Sequence, residues 1–228
     1  MMQEFIVSEA WKAAYPQAVI GVLALHGVAN PERHATLDQR KTELEGQLRG
    51  RYATHDRAAL KELPVLQAYN AYYKLFKKTY HVQLQLESVV FKGKSIPRVA
   101  ALVEAMFMAE LEDLLLTAGH DLESLQPPIA VYVADGSEQY TRINGQEQTL
   151  KAGDMFIADA RGVISSVLYG PDQRTRITPG TRQVLFTVYG PAGIGAEAVH
   201  EHLAKILANV QLFAPTAMVK SLKVYGTE

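Results

Sequence analysis

Two stretches of this 228-residue chain concentrate side chains able to do acid–base or anion chemistry. The first is Ala118-Gly119-His120-Asp121. An imidazole titrates near neutrality, so His120 suits a base, a donor or a switch, with Asp121 beside it. Read as a turn just past a helix end, the same stretch leaves His120 exposed and Asp121 as a cap. The second stretch, GPDQRTRITPGT over 170–181, follows Tyr169 and supplies Asp172, Arg174, Thr175, Arg176 and Thr178. If RTRIT is an alternating strand, Arg174, Arg176 and Thr178 share one face, with Thr175 and Ile177 on the other. Two adjacent arginines repel unless an anion joins them. Inside the chain that anion is Asp172, Asp121 or Glu104; from outside it is a carboxylate or phosphate, which a guanidinium grips by paired hydrogen bonds. A site is expected where the two stretches meet, with Arg174 or Arg176 anchoring its ligand unless internal acids take both.

The remaining candidates are weaker. Glu104 lies beside the apolar stripe of a helix, where a carboxylate must reach water or find a partner. Lys74, Lys77, Lys78, His81, Lys92, Lys94 and Arg98 form a locally basic segment. Such residues beside aromatics suit a phosphate backbone, and equally suit a solvated helix end, where lysines favour the negative pole of the dipole. Lys92, Lys94 and Arg98 are the RNA-binding candidates. His26 at a strand end reads as structural. His200 and His202, two apart on a helix, face different ways, and no histidine–carboxylate cluster has metal-ligand spacing, so no metal and no cofactor are expected. The chain has no cysteine, which removes disulfides, thiolate catalysis and Cys-ligated zinc. A net charge of -1 announces no global nucleic-acid surface. No apolar run approaches the ~20 residues of a membrane span. The N-terminus lacks a basic start with an apolar core, so no signal peptide is expected, and a cytoplasmic location fits.

The elements that must carry these residues follow from periodicity. At 48% hydrophobic and 21% charged, the chain is long enough to bury a substantial core. Phe5-Ile6-Val7 reads as a strand, Ser8 as a helix cap, and Ala18 to Leu25 as a strand buried on both faces. Leu37 to Arg51 reads as a surface helix with its charges solvated. Pro64 opens a helix whose Tyr69, Tyr72, Tyr73 and Phe76 are core or a stacking platform for bases. Ile96 to Leu116 reads as the main helix, with Pro97 in its first turn and Gly119 as a C-cap. From Ile129 the period becomes that of strands, with Asn144-Gly145 a hairpin turn and Asp159 to Gly162 another. Ala196 to Val210 is an amphipathic helix, and Phe213 to Tyr225 docks or forms an edge strand. The expected fold is α+β, a mixed, partly curled β-sheet flanked by helices, as a single domain over 1–228. Its expected core includes Val22, Leu23, Val99, Val103, Leu114, Val131, Ile157, Val167, Leu185 and Val199.

In this order, KSIPRVAALVEA, AGHDLESL, the Asn144-Gly145 hairpin, GDMFIADARGVI and RTRITPGTRQVLF resemble the B3/B4 domain. That domain is the editing module of the bacterial phenylalanyl-tRNA synthetase beta subunit and also occurs as freestanding proteins. The resemblance is strongest over 87–191, with 192–228 a C-terminal helix and tail, and 5–80 also looks like the freestanding form. The synthetase module hydrolyses the ester of tyrosine misattached to phenylalanine tRNA. Its aspartate matches Asp121, but its editing histidine falls on Ala118, its Thr-Asn pair on Val103 and Glu104, and its tyrosine-reading carboxylate on Thr187. The resemblance therefore implies the fold and a tRNA-editing hydrolase acting in trans, with His120 and Glu104 as catalytic candidates. The ligand-binding set is Asp121, Tyr169, Asp172, Arg174, Thr175, Arg176, Thr178 and Thr187. The implied partner is tRNA. The alternatives are a non-catalytic tRNA- or RNA-binding module and a binder of a small, amino-acid-like molecule.

Overall fold

A computed structural model describes residues 5–226. The first half is mostly helical: β1 (Ile6–Val7), α1 (Glu9–Ala14), β2 (Val19–His26), α2 (Ala35–Arg51), α3 (Arg57–Lys61), α4 (Pro64–Leu75), α5 (His81–Lys92) and α6 (Ala101–Asp113). Strands dominate thereafter: β3 (Leu116–Asp121), β4 (Ala130–Val133), β5 (Gln139–Thr141), β6 (Glu147–Thr149), β7 (Met155–Asp159), β8 (Gly162–Ser166), β9 (Gly170–Pro171) and β10 (Gln183–Gly190). The chain closes with α7 (Ala196–Gln211) and β11 (Met218–Gly226). This is the expected α+β class.

The strands form two main sheets and a hairpin. One sheet has the order β1-β4-β7-β8-β9 and is mixed, because β1 runs parallel to β4. The other is antiparallel, in the order β11-β2-β10-β3. The tail is thus an edge strand. β5 and β6 pair around the Asn144-Gly145 turn. α7 covers one face of the antiparallel sheet so closely that a Cβ on Gly21 would lie 2.5 Å from a Val199 methyl, so only glycine fits. The other face meets the mixed sheet, where the Tyr189 hydroxyl bonds Ser165 Oγ at 2.6 Å.

β2 is buried throughout its centre, as its unbroken apolar run demands. The tyrosines of α4 are core, and their hydroxyls tie the helix to strands. Tyr69 Oη donates to the Tyr189 carbonyl (2.6 Å) and accepts the Leu116 amide (2.9 Å). Tyr72 Oη donates to Asp154 (2.7 Å) and accepts the Met155 amide (2.7 Å). Tyr73 Oη donates to the Val167 carbonyl at 2.7 Å. Burial pushes all three phenols up. Residues on both sides of Tyr80 belong to one hydrophobic cluster.

Three readings of local structure are corrected. The main helix starts at Ala101, not Ile96, because other groups take its first amides: Asn30 Oδ1 accepts Leu102 N–H and the Pro31 carbonyl accepts Ala101 N–H. Pro97 consequently precedes the helix, and Val99 is 41% exposed rather than core, while Val103 is half-buried. The helix ends at Leu114, whose φ of 61° supplies the left-handed turn usually given to glycine. Gly119 caps nothing, since Leu116–Asp121 is a fully buried strand paired with β10. Finally, α2 is not simply a solvated face: Lys41 and Glu45 are buried.

Candidate functional site

His120 is in β3, not in a turn, and is completely buried. Its Nδ1 lies 2.8 Å from Thr175 Oγ1, and that hydroxyl donates to Asp172 Oδ1. With its proton committed to Asp172, Thr175 accepts from His120, which fixes the Nδ1–H tautomer. Nε2 is left buried and unpartnered. Burial, then the Arg174 charge, depress the imidazole to about 3, so it is neutral at ordinary pH.

The RTRIT stretch is a loop, because its polar side chains serve its own backbone and that of β3. Asp172 Oδ1 accepts the Thr175 amide (3.0 Å), and the Thr175 carbonyl accepts the Asp121 amide (2.8 Å). Thr181 Oγ1 accepts the Thr178 amide (2.9 Å) and donates to Asp121 Oδ2 (2.7 Å). Arg174 does not lie flat beside Arg176. It reaches across to Asp159, forming a two-pronged pair at 2.9 Å on each oxygen, and donates to the Ser124 carbonyl at 3.0 Å. Asp159 also accepts the amides of Gln126 (2.8 Å) and Arg161 (2.9 Å), a set that holds it below its usual range despite burial. Arg176 is exposed and donates only to the Gln173 carbonyl, at 3.0 Å. The internal acids therefore take Arg174 and leave Arg176 free.

These bonds frame a polar cleft of about 430 Å³ lined by Asp121, Asp172, Arg174, Arg176, Thr178 and residues Ser124, Thr141 and Gln173. The two stretches singled out in the sequence do meet. Burial raises the Asp172 carboxyl above its ordinary value, with Thr175 and Arg174 opposing. Thr175 is buried beneath the cleft and His120 is linked to it only through Thr175. Glu104 is elsewhere: its oxygens take Lys41 Nζ at 2.5 Å and the Val99 amide at 2.8 Å, a buried structural pair. Thr187 is buried, its Oγ1 unpartnered. Ser124 and Thr141 were not legible as site residues, since nothing in their own sequence neighbourhoods separates them from ordinary turn residues, and Gln173 was passed over within the 170–181 stretch in favour of its charged neighbours.

A second cleft, about 360 Å³, lies between the start of α5 and the start of β9 and is lined by Tyr73, Lys78, Thr79, His81, Arg142 and Tyr169, among others. Tyr169 thus belongs here, with Lys78 Nζ 4.5 Å above its ring. Lys92 and Lys94 are exposed at the far end of α5, a helix about 18 Å long at ~1.5 Å per residue. Arg98 is exposed too, its guanidinium 3.6 Å from Asp38.

A family model, the B3/4 domain, matches residues 67–205. The chain belongs to the B3/4 domain family. No curated protein matches it. Among solved structures, an N-terminal fragment of the phenylalanyl-tRNA synthetase beta-subunit from Pyrococcus horikoshii is 14% identical, with a TM-score of 0.49 over 94% of this chain and 49% of that one. The chain therefore spans about half the length of that fragment. Ala118 and Thr187, on which the resemblance read from the sequence places the synthetase's editing histidine and carboxylate, are direct partners across β3 and β10. Both are sealed between the sheets, 3% and 0% exposed. The polar cleft opens at the end of the same two strands, beyond His120 and at Asp121. Among the described residues no helix is long and apolar enough to cross a membrane.

Proposed function

We propose that this B3/4 domain, folded as one domain over its 228 residues, is a cytoplasmic deacylase that hydrolyses the ester of a mischarged tRNA in trans. The observation that carries this reading is the Asp121–Asp172–Arg176 cleft, which combines two carboxylates with an uncommitted guanidinium. Its size suits an aminoacyl end rather than a folded partner. The ammonium of the amino acid sits by Asp121, whose carboxylate Thr181 orients. Asp172, its base strength raised by burial and its position set by Thr175, takes a proton from water. The water oxygen attacks the ester carbonyl carbon, and Arg176 stabilises the oxyanion. The bond to the ribose oxygen then breaks, that oxygen takes up the proton, and amino acid and tRNA leave. Thr178 adds a hydroxyl at the rim. His120 serves as a positioning residue behind Thr175.

A panel of tRNAs, each charged with a wrong amino acid, incubated with the protein tests this. Release on at least one member, lost in Asp172→Asn, is expected. Release no faster than buffer on every member sinks the reading.

A second reading, a tRNA-binding module without catalysis, is favoured by one observation: the positions of the synthetase's editing pair carry Ala118 and Thr187, walled off from solvent. It predicts tRNA binding that survives Asp172→Asn with no deacylation at all. An amino-acid-like free ligand in the same cleft predicts binding without tRNA.

A further inference from the structure

The second cleft differs from the first in what its charges lack. Arg142 is half-buried, and its guanidinium donates to no protein acceptor among the described residues; only its backbone is engaged, with Gln146 and Gly145. Five N–H donors with no protein acceptor leave this guanidinium open to an anion from outside. Lys78 is likewise without a carboxylate within ion-pair distance and rests over Tyr169. Other half-buried cations are paired, Arg40 with Glu112 and Arg174 with Asp159, whereas Lys78 is exposed. Asp154 lies deep beneath and feels the Lys78 charge, but it is committed to Tyr72 and burial raises it to about 7.

The remaining wall carries donors as well. Tyr73 gives its proton to the Val167 carbonyl, so its oxygen accepts from His81 Nδ1 at 3.3 Å; Nε2 of the neutral ring then keeps a lone pair, and His81 lends the cleft its helix position rather than a side-chain donor. His81 is the first residue of α5, a 12-residue helix whose N-terminus has neither a side-chain cap nor an acid in its first turn. Its free amides add to the positive field. Thr79 contributes a hydroxyl.

We propose that the Lys78–Arg142–Thr79 cleft is a phosphate-binding site. Arg142 supplies a planar fork, Lys78 a point charge and Thr79 a neutral donor, the combination that holds a tetrahedral anion. If the deacylase reading is right, the phosphate belongs to the tRNA strand whose charged end occupies the neighbouring cleft; that source, not the site itself, rests on that reading. The two clefts are joined by successive residues of one strand segment, Thr141 facing one and Arg142 the other.

The test compares wild type with Lys78→Gln/Arg142→Gln, using an uncharged tRNA transcript over a salt series and, separately, inorganic phosphate followed by amide shifts. Lys92→Gln/Lys94→Gln is the charge-matched comparator. The expected result is a loss of about tenfold or more in tRNA affinity, and a salt slope shallower by about two, in the first variant beyond the second. Arg142→Lys should recover part of the loss. If tRNA affinity is unchanged but inorganic phosphate shifts the amides of 78–81 and 142 in wild type and not in the variant, the site stands with a free phosphate as its source. If neither probe distinguishes the variant from wild type, the proposal is overturned. Loss of tRNA affinity in a protein that deacylates nothing would remove the deacylase reading and leave this site in place.

Discussion

Two clefts share a wall in this molecule and treat charge in opposite ways. In the first, Arg174 is held by Asp159, and Asp121 and Asp172 are held by threonines and backbone amides. In the second, Lys78 and Arg142 form no ion pair among the described residues. Internal compensation fixes geometry before a ligand arrives, which is what orienting a reacting ester requires. Uncompensated cations fix nothing but draw in an anion from a distance. The difference separates chemistry from capture, and it exposes Arg176 as the exception in the first cleft: a cation there with only one backbone oxygen.

The largest expected effect tests the compensated side. Asp159→Ala removes the two-pronged partner of Arg174, leaving it the Ser124 carbonyl and Asp172 Oδ2 at 3.6 Å, and strands two amides. A loss of about 3–5 kcal/mol is expected, or roughly 10 °C in Tm for a chain of this size. Arg142→Ala, on the uncompensated side, should leave Tm within about 1 °C. Equal losses measured by calorimetry would erase the distinction between the clefts.

Next in size is the chemistry. Asp172→Asn keeps an acceptor for the Thr175 amide but removes the base, so deacylation should fall about 100-fold. Because the carboxylate is the active form and burial raises its pKa, the wild-type rate should decline as pH falls through a midpoint above the ordinary aspartate value of 3.8. A flat profile down to pH 4 would exclude Asp172 as the base.

How much of this was legible in sequence depends on whether a residue's partners lie nearby in the chain. Most of the later strands and the Asn144-Gly145 hairpin follow from local pattern, while the meeting of the 118–121 and 170–181 stretches was expected only from their shared polar density. The burial of His120 does not. Leu114-Leu115-Leu116 continues a helical apolar run, and only pairing with β10, more than sixty residues on, turns Leu116–Asp121 into a strand. Glu104 read as an odd carboxylate needing a partner, but that partner is Lys41, 63 positions away. RTRIT alternates like a strand, yet Asp172 and Thr175 close a turn that period alone cannot show. The basic segment was visible as a cluster, while its division by α5 into a cleft end and an exposed end was not. Arg142 stood outside it altogether, delivered by a hairpin.

A smaller effect sharpens the exception. Arg176→Gln removes an exposed guanidinium with no carboxylate partner, so Tm should not move, while deacylation falls about tenfold, in kcat rather than KM if the group meets only the oxyanion. Arg174→Lys should do the reverse, lowering Tm by several degrees through loss of the two-pronged Asp159 pair. Should Arg176→Gln destabilise the fold and Arg174→Lys leave it intact, the assignment of the two arginines is inverted.

The smallest effect is expected at the residue whose type first suggested catalysis. His120 is sealed from water, donates through Nδ1 to Thr175 and has its pKa depressed from 6.5 to about 3. Between those values the unfolded chain binds a proton that the folded one does not. Neutral burial therefore contributes stability above pH 6.5 that is lost as pH falls toward 3. Deacylation should show no ionisation from this imidazole near pH 6.5, and ring-nitrogen NMR should show an unchanging Nδ1–H tautomer from pH 8 to pH 5. Replacing it by glutamine, which can still donate to Thr175, should leave the rate within about threefold while flattening the loss of stability on acidification. A ring titrating near 6.5 would mean that water reaches Nε2. The chain Asp172–Thr175–His120 would then open onto solvent at both ends, and the imidazole would have to be reconsidered as the proton carrier in place of Asp172.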